Sequence, residues 1–504
     1  MQRCYQTRRK GDARVCRIEG CSTLIVVSLF QSSTMFLVHR WTLDAAARGV
    51  AVMGGAVFVS TALLSKAKEA AGCVEGTIDS CEGRVYGMRP SSLLTNIVAI
   101  VGLICTCFIP LVGSIIDHTG HRRQVGRASA LAFTVLILFQ VLLLNKHWFG
   151  SAIVQILIAI LYSIHLCTVY AYLPELTENS EKLTQYASHF TAVQYSASVV
   201  FLVIMVYILS LIDIGHDVKA DVAAAKVSQT VVVVICTVFF GYAWSNLFGD
   251  RKAKRLPPPG QSVYSAGFYH IFETSRDIWE RHDAIKWFLI ATAFTESATN
   301  AFSAIAITFI TTQLHFSSTE NGIAILLLLI FAVPGTKVAA FMSNRFNPIR
   351  SLQCCLFLWI VNTGVAALVL HEAGQQSTAY AHAVVWGVLL GWVYPTEKTL
   401  FCTIISKGSE AELMGVYICS CQVLSWLPPL MFTAMNELGI SMRIGLFSLN
   451  FYFFLSFLLL FLIGDYGNAV HHAQFIDEGN VVLSLMKANE VVVPHYQIMN
   501  EKLT

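Results

Sequence analysis

The residues able to do chemistry in this chain are the few charged side chains set inside long apolar runs. Each such charge costs roughly 3 kcal/mol in hydrocarbon on insertion scales, unless it is paired or faces water. Asp44 and Arg48 stand four apart, on one helix face, where they can neutralise each other. Two readings follow: an ion pair at the membrane interface, or Arg48 presenting its planar fork to a substrate carboxylate. Glu296 falls near the middle of an apolar run, within Thr295-Glu-Ser-Ala-Thr299-Asn300. Thr295, Glu296, Thr299 and Asn300 share one side of a helix, which is expected to face a wet cavity. A carboxylate there can bind an α-amino group, take up a proton as the cavity closes, or hydrogen-bond a neighbouring helix.

Lys337 follows Pro334-Gly335, and Glu397-Lys398 lies beside Pro395. Proline inside a span frees a carbonyl, and broken helices line transport cavities. Against this, Lys337 is close enough to a helix end to snorkel, and the adjacent Glu397 and Lys398 point in different directions. His165, Gln194, Asn362 and Gln422 are uncharged polar residues within spans, a class that ties helices together more often than it binds solute.

These residues need spanning helices to position them. The chain has 504 residues, 55% hydrophobic and 13% charged, with a mean hydropathy of +0.61. That is too little charge to coat a globule of this size, so lipid is the solvent. Runs of the length that crosses a bilayer are expected near 43–64, 91–116, 126–145, 149–172, 190–212 and 228–248. A second set lies near 285–312, 320–342, 350–370, 379–402, 413–436 and 443–464. The expected fold is an all-α membrane protein of twelve transmembrane helices in two six-helix bundles.

The expected divisions are a cytosolic or interfacial segment at 1–42, an N-terminal bundle at 43–248, a linker at 249–284, a C-terminal bundle at 285–464 and a tail at 465–504. Thr23 to Val38 is apolar but short and interrupted by polar residues. The linker joins a basic, proline-rich stretch to an amphipathic surface helix. Arg122, Arg123 and Arg127, the linker, and Arg345 and Arg350 crowd one side, which the positive-inside rule makes cytosolic. Cys73 and Cys81 then lie in a polar loop on the other face, where a disulfide can form. Most of the 14 cysteines lie in apolar stretches, and no CxxC pair offers metal-ligand spacing. No basic run interleaved with aromatics suggests nucleic acid. No phosphate-cradling glycine loop, cofactor motif, or nucleophile and base at recognisable spacing suggests an enzyme. Tyr496-Gln-Ile-Met499 has the form of a sorting signal, a pattern that recurs by chance.

Between the second and third spans stands Gly113-Ser-Ile-Ile-Asp117-His-Thr-Gly120-His-Arg122-Arg123. Gly113 is expected to permit close helix approach, Asp117 and the arginines to sit where a helix meets water, and Gly120 to allow a tight reversal. The run resembles the corresponding loop of the major facilitator superfamily. Lys407-Gly-Ser-Glu410-Ala-Glu412-Leu-Met-Gly415-Val-Tyr417, with Ser425-Trp426-Leu-Pro-Pro429, resembles the autophagy-related vacuolar effluxers of that superfamily. Tyr170-Ala-Tyr172-Leu-Pro174-Glu175, Trp41-Thr-Leu43-Asp44 and the Gly387 to Gly391 spacing support it.

The resemblance implies the major facilitator fold and export of amino acids from a vacuole or lysosome to the cytosol, with a proton gradient as drive. It also implies an acid at the place of Glu296, and a cytosolic gate bracketed by Asp117, Arg122 and Arg123. The chain departs from the pattern in the tenth span, where Tyr394-Pro395-Thr396-Glu397-Lys398 replaces a serine-arginine-serine run, and in the acid-free turn Ser343 to Asn347. Alternatives are carriage of a sugar, metal chelate or nucleoside, a plasma-membrane location, and a receptor or scaffold that kept the fold without the transport.

Overall fold

The computed structural model describes residues 41–73, 83–118, 121–172, 180–211, 218–246, 263–405 and 410–471. The segment at 23–38, Cys81, Gly120, Pro174-Glu175, the basic part of the linker, Lys407 and the sequence around Tyr496 lie outside these residues.

The described chain is helical apart from short turns and one isolated bridge between Val85 and Met88. The first helix, α1, runs Trp41–Ala70 and carries a π-helical turn at Gly54–Val59. After it come α2 (Leu93–His118), α3 (Arg122–Leu143), α4 (Trp148–Ala171), α5 (Ser180–Leu211) and α6 (Val218–Asn246). A short helix, α7 (Val263–Arg281), leads to α8 (Asp283–Gln313), α9 (Ser318–Phe346), α10 (Pro348–Val369) and α11 (Gln376–Ile404). The last spans are broken ones: α12 (Glu410–Val423) continues as α13 (Leu427–Glu437), and α14 (Met442–Phe447) as α15 (Leu449–Leu459).

Ten helical stretches among the described residues are long and apolar enough to cross a membrane. They correspond to ten of the twelve expected spans. The other two are α8 and α11, of 31 and 29 residues. Their polar residues, Thr295 to Asn300 in one and Glu397-Lys398 in the other, dilute the hydropathy that marks the rest. The chemistry-bearing helices are thus the two least lipid-like.

The break in the eleventh span follows from Pro428 and Pro429, which cannot donate to the preceding turn. The other half comes close at the break: Thr106 Oγ1 of α2, which donates to Gly102 O at 2.8 Å, also lies 3.1 Å from Gln422 O, a carbonyl that accepts from Ser425 N and Ser425 Oγ. The α2 backbone comes close enough that a Cβ on Gly102 would lie 2.8 Å from Trp426 N. Along this seam α2 lies against α12 and α13, and α5 lies against α9 and α11. The amphipathic helix α7 rests on α2, with Tyr269, Phe272 and Trp279 exposed and Ile278 buried.

Close helix approach does not occur where the sequence suggested it. A Cβ on Gly113 would meet open space, so no contact there requires glycine. The tight packing is between α11 and α9, where a Cβ on Gly387 would fall 2.2 Å from Leu328 O and one on Gly391 1.9 Å from Ala332 O. A small-xxx-small spacing here lets two backbones touch. Gly391→Leu is expected to lower stability by about 1–3 kcal/mol, the usual effect of overpacking, read as a lower midpoint in thermal unfolding of the detergent-purified protein.

Candidate functional site

Asp44 and Arg48 do pair, with Arg48 Nε 2.8 Å from Asp44 Oδ2, and both are buried within the bundle at the start of the first span, 0% and 1% exposed. Asp44 also accepts from His165 Nε2 of α4 at 2.9 Å and from Trp244 Nε1 of α6 at 3.0 Å. Arg48 Nη1 donates to Gln194 Oε1 of α5 at 3.2 Å, and Ser129 Oγ of α3 stands 3.0 Å from His165 Nδ1. One acid on α1 thereby ties together α3, α4, α5 and α6.

The Ser129–His165–Asp44 chain has the order of a hydrolase relay. Ser129, however, donates to Gly126 O at 2.9 Å and is buried, and its acid is already held by a guanidinium and an indole. This is a helix-tying network. His165 and Gln194 act as the polar ties expected of them, as does Asn362, whose Oδ1 lies 2.9 Å from His382 Nδ1.

The C-terminal half is built differently. Glu296 of α8 and Glu397 of α11 are both buried, and their carboxyl groups face each other in contact. Neither Glu397 oxygen has a hydrogen-bond partner of ordinary geometry. Lys398, half-buried, is the cation within electrostatic reach of both acids. The tyrosines Tyr394 of α11 and Tyr417 of α12 stand close to the same pair. So does Tyr195 of α5, which brings the N-terminal half to the acids and is itself near Tyr162 and Tyr170 of α4.

Of the polar run on α8, Thr299 stays on the side of Glu296, reaching Tyr394 beside the acids, and Thr295 does not. Thr295 turns away to Ser456 of α15, at 2.7 Å, and Thr299 Oγ1 bonds back to Thr295 O at 3.1 Å. Glu296, exposed Asn300 and exposed Ser303 form a stripe at four- and three-residue spacing. Ser303 lines a cavity of about 260 Å³ between the two halves, walled by α1, α2, α3, α4, α6 and α8. Lys337 is exposed, with no ion pair among the described residues, and is not brought to this site.

At the end of the bundle where α1 leaves and α2 enters, the halves are tied. Glu437 of α13 accepts from Arg89 N and Ser92 Oγ, both at 2.8 Å, and pairs with Arg84 Nη1 at 3.1 Å. Asn436 Nδ2 donates to Ser91 and Ser92 at 2.7 Å, and Thr95 meets Thr433 at 2.7 Å. Asn321 of α9 reaches Thr61 of α1 at 3.1 Å. Nothing in the sequence pairs these positions, which lie hundreds of residues apart. Cys73 near this end is disulfide-bonded, and Cys81, the partner expected for it, lies outside the described residues.

At the opposite end, Arg122 and Arg123 donate to Ala171 O and Ser245 O, each at 3.2 Å, at the C-terminal ends of α4 and α6. Arg122 also lies over the Tyr172 ring at 5.1 Å. Asp117 falls within α2, and its side chain lies outside what is described.

The model of a family described as vacuole effluxer Atg22 like matches residues 36–471. Autophagy-related protein 22 of Vanderwaltozyma polyspora is 24% identical over 185 residues, covering 35% of this chain and 33% of that protein, about a third of the curated relative. Among solved structures, the human organic anion transporter MFSD10 superposes with a TM-score of 0.61 at 12% identity, over 85% of this chain and 99% of that one. The nucleoside transporter NupG, solved as a point mutant, does so at 0.57 and 10% identity, over 85% and 100%. The proton:xylose symporter XylE gives 0.56 and 11% identity, over 85% and 96%. The fold is that of the major facilitator superfamily.

Removing one partner of a buried, hydrogen-bonded ion pair leaves an uncompensated charge, at about 3–5 kcal/mol. Asp44→Asn is therefore expected to unfold at markedly lower temperature than wild type, and the double change Asp44→Leu with Arg48→Met to recover much of the loss. Thermal unfolding in detergent measures both.

Proposed function

The chain belongs to the family of Atg22-like vacuole effluxers, and on that premise we propose that it carries amino acids from the lumen of a vacuole to the cytosol by alternating access, coupled to protons. In this reading it is a multi-pass protein of the vacuolar membrane, with α8 and α11 as two further spans that complete twelve.

The observation that carries the reading is the buried Glu296–Glu397 contact at the seam between the halves, in which neither Glu397 oxygen makes a hydrogen bond of ordinary geometry. Two acids held together without donors form a site that an ammonium group or a proton completes. An α-amino group supplies charge-assisted donors, and the facing tyrosines offer their ring faces to the same cation. Arg48 enters less directly than a carboxylate anchor would. Two of its nitrogens are committed to Asp44 and Gln194, and it acts on the solute through Tyr162, which it adjoins and which lines the cavity.

Alternating access needs one end shut while the other opens. By the positive-inside rule the tied end, at the start of α2 and the end of α13, faces the lumen. The conformation described is then closed to the lumen. The turn containing Asp117, Arg122 and Arg123 serves as the opposite gate, and neutralising Asp117 shifts the balance of the two states more than it changes solute affinity. Carriage of another small solute is the second reading, supported by the family-atypical residues Tyr394 to Lys398 that surround the acids.

The test is flux of a mixture of labelled amino acids in proteoliposomes, with and without an acid interior. Saturable, gradient-sensitive flux is expected. Glu296→Gln is expected to reduce it at least about tenfold, since a hydrogen bond to a charged group is worth about 1.5–3 kcal/mol. Folded protein that gives no flux above empty liposomes overturns the amino-acid assignment.

A further inference from the structure

Among the polar groups inside the bundle are three glutamines on neighbouring helices: Gln140 of α3, Gln155 of α4 and Gln229 of α6. Their amide orientations are fixed by one carbonyl. Gln140 Nε2 donates to Ser151 O at 3.2 Å, and a backbone oxygen can only accept. The same Nε2 donates to Gln155 Oε1 at 2.8 Å, so the Gln155 oxygen faces Gln140 and its nitrogen faces away. Gln140 Oε1 in turn accepts from Gln229 Nε2 at 3.3 Å, so the Gln229 oxygen faces away.

The relay ends in two uncommitted groups. Gln229 Oε1 is buried, on a side chain only 2% exposed, and has no donor. Gln155 Nε2 has no acceptor among the described residues. Both glutamines line the cavity of about 260 Å³ that Ser303 also reaches. A buried acceptor without a donor is destabilising, and its persistence beside a cavity points to a partner that comes and goes. The backbone makes room for it: α1 takes a π-helical turn from Gly54, and a Cβ on Gly55 would stand 3.1 Å from Gln155 Nε2. Single π turns of this kind accompany functional sites.

The rest of the wall is mostly apolar, including Phe133, Ile137 and Ile307, with the hydroxyls of Ser60, Tyr162 and Ser303 among it and no charged side chain. An apolar cavity of about 150 Å³ holds a benzene, so this one takes a somewhat larger group. Ser303 lies seven residues beyond Glu296, about 10 Å along the helix at 1.5 Å per residue. An extended solute whose cationic end sits at the acids is thereby directed along α8 toward this cavity.

We propose that this cavity is the subsite for the uncharged side chain of the transported solute, and that Gln155 and Gln229 select a side chain bearing both a donor and an acceptor, such as a carboxamide or a hydroxyl. The proposal rests on the amino-acid carrier reading for the identity of the solute. Selectivity arises because an aliphatic side chain of the same size fills the cavity but leaves both amide ends unpaired.

The test compares near-isosteric pairs on the purified full-length protein: glutamine with methionine, and tyrosine with phenylalanine. Two readouts are taken, thermal stabilisation by each solute in detergent and flux in proteoliposomes. The polar member of each pair is expected to be preferred by about tenfold or more, as in sites built to hydrogen-bond a substrate group. In Gln229→Leu, and independently in Gln155→Leu, that ratio falls toward one. Wild-type protein that treats the members of each pair alike overturns the subsite, as does a folded Gln229→Leu or Gln155→Leu that keeps the full preference. Selective stabilisation without flux of any member retires the carrier reading and keeps the subsite. Flux without selectivity does the reverse.

Discussion

A charge inside a bilayer-spanning bundle must find compensation within the protein, and the two halves of this chain meet that constraint in opposite ways. Asp44 is surrounded by donors: a guanidinium from its own helix, and an imidazole and an indole from α4 and α6, which it holds in place. Glu397 is as deeply buried and has none of these, facing a second acid across the α8–α11 contact. A satisfied acid rigidifies its surroundings. An unsatisfied one stores a demand that a ligand can meet, which is how natural sequences give up stability where function requires it. The contrast separates scaffold from candidate site without appeal to conservation.

The packing supports that division. In the C-terminal half, Gly387 and Gly391 bring the α11 backbone against that of α9. In the N-terminal half, the Asp44 network fixes α4 and α6, and with them the positions of Tyr162 and Gln229 on the cavity wall. The halves then meet through hydrogen bonds at one end, centred on Glu437 and Asn436. Such ties can break and re-form together, as a rigid-body rocking motion needs.

Much of the architecture was legible in the sequence because the bilayer writes it there as runs of hydropathy. The spans nearly coincide with the helices, including α8 and α11. Glu296 was identifiable as a lone acid in an apolar run. Its partner Glu397 was visible only as one of an adjacent charged pair, because a contact between residues on α8 and α11 leaves no periodicity to read. The same holds for Gln140, Gln155 and Gln229, which are unremarkable singly and become a relay only when three helices align. Thr295 was drawn into the site by helical spacing, yet Ser456 on α15 claims its hydroxyl. Gly113 misled for a related reason: glycine permits close approach but does not specify where a neighbour lies.

The claim that Glu397 belongs to a site and Asp44 to the scaffold is tested most directly by the stability of Glu397→Gln in the absence of solute. Glu397→Gln replaces the acid that faces Glu296 with a neutral side chain of the same size and supplies an amide donor to Glu296. The account predicts a thermal midpoint at or above that of wild type, with the solute-dependent rise in midpoint lost. A midpoint lowered as far as that of Asp44→Asn would contradict it, and would make Glu397 part of the framework.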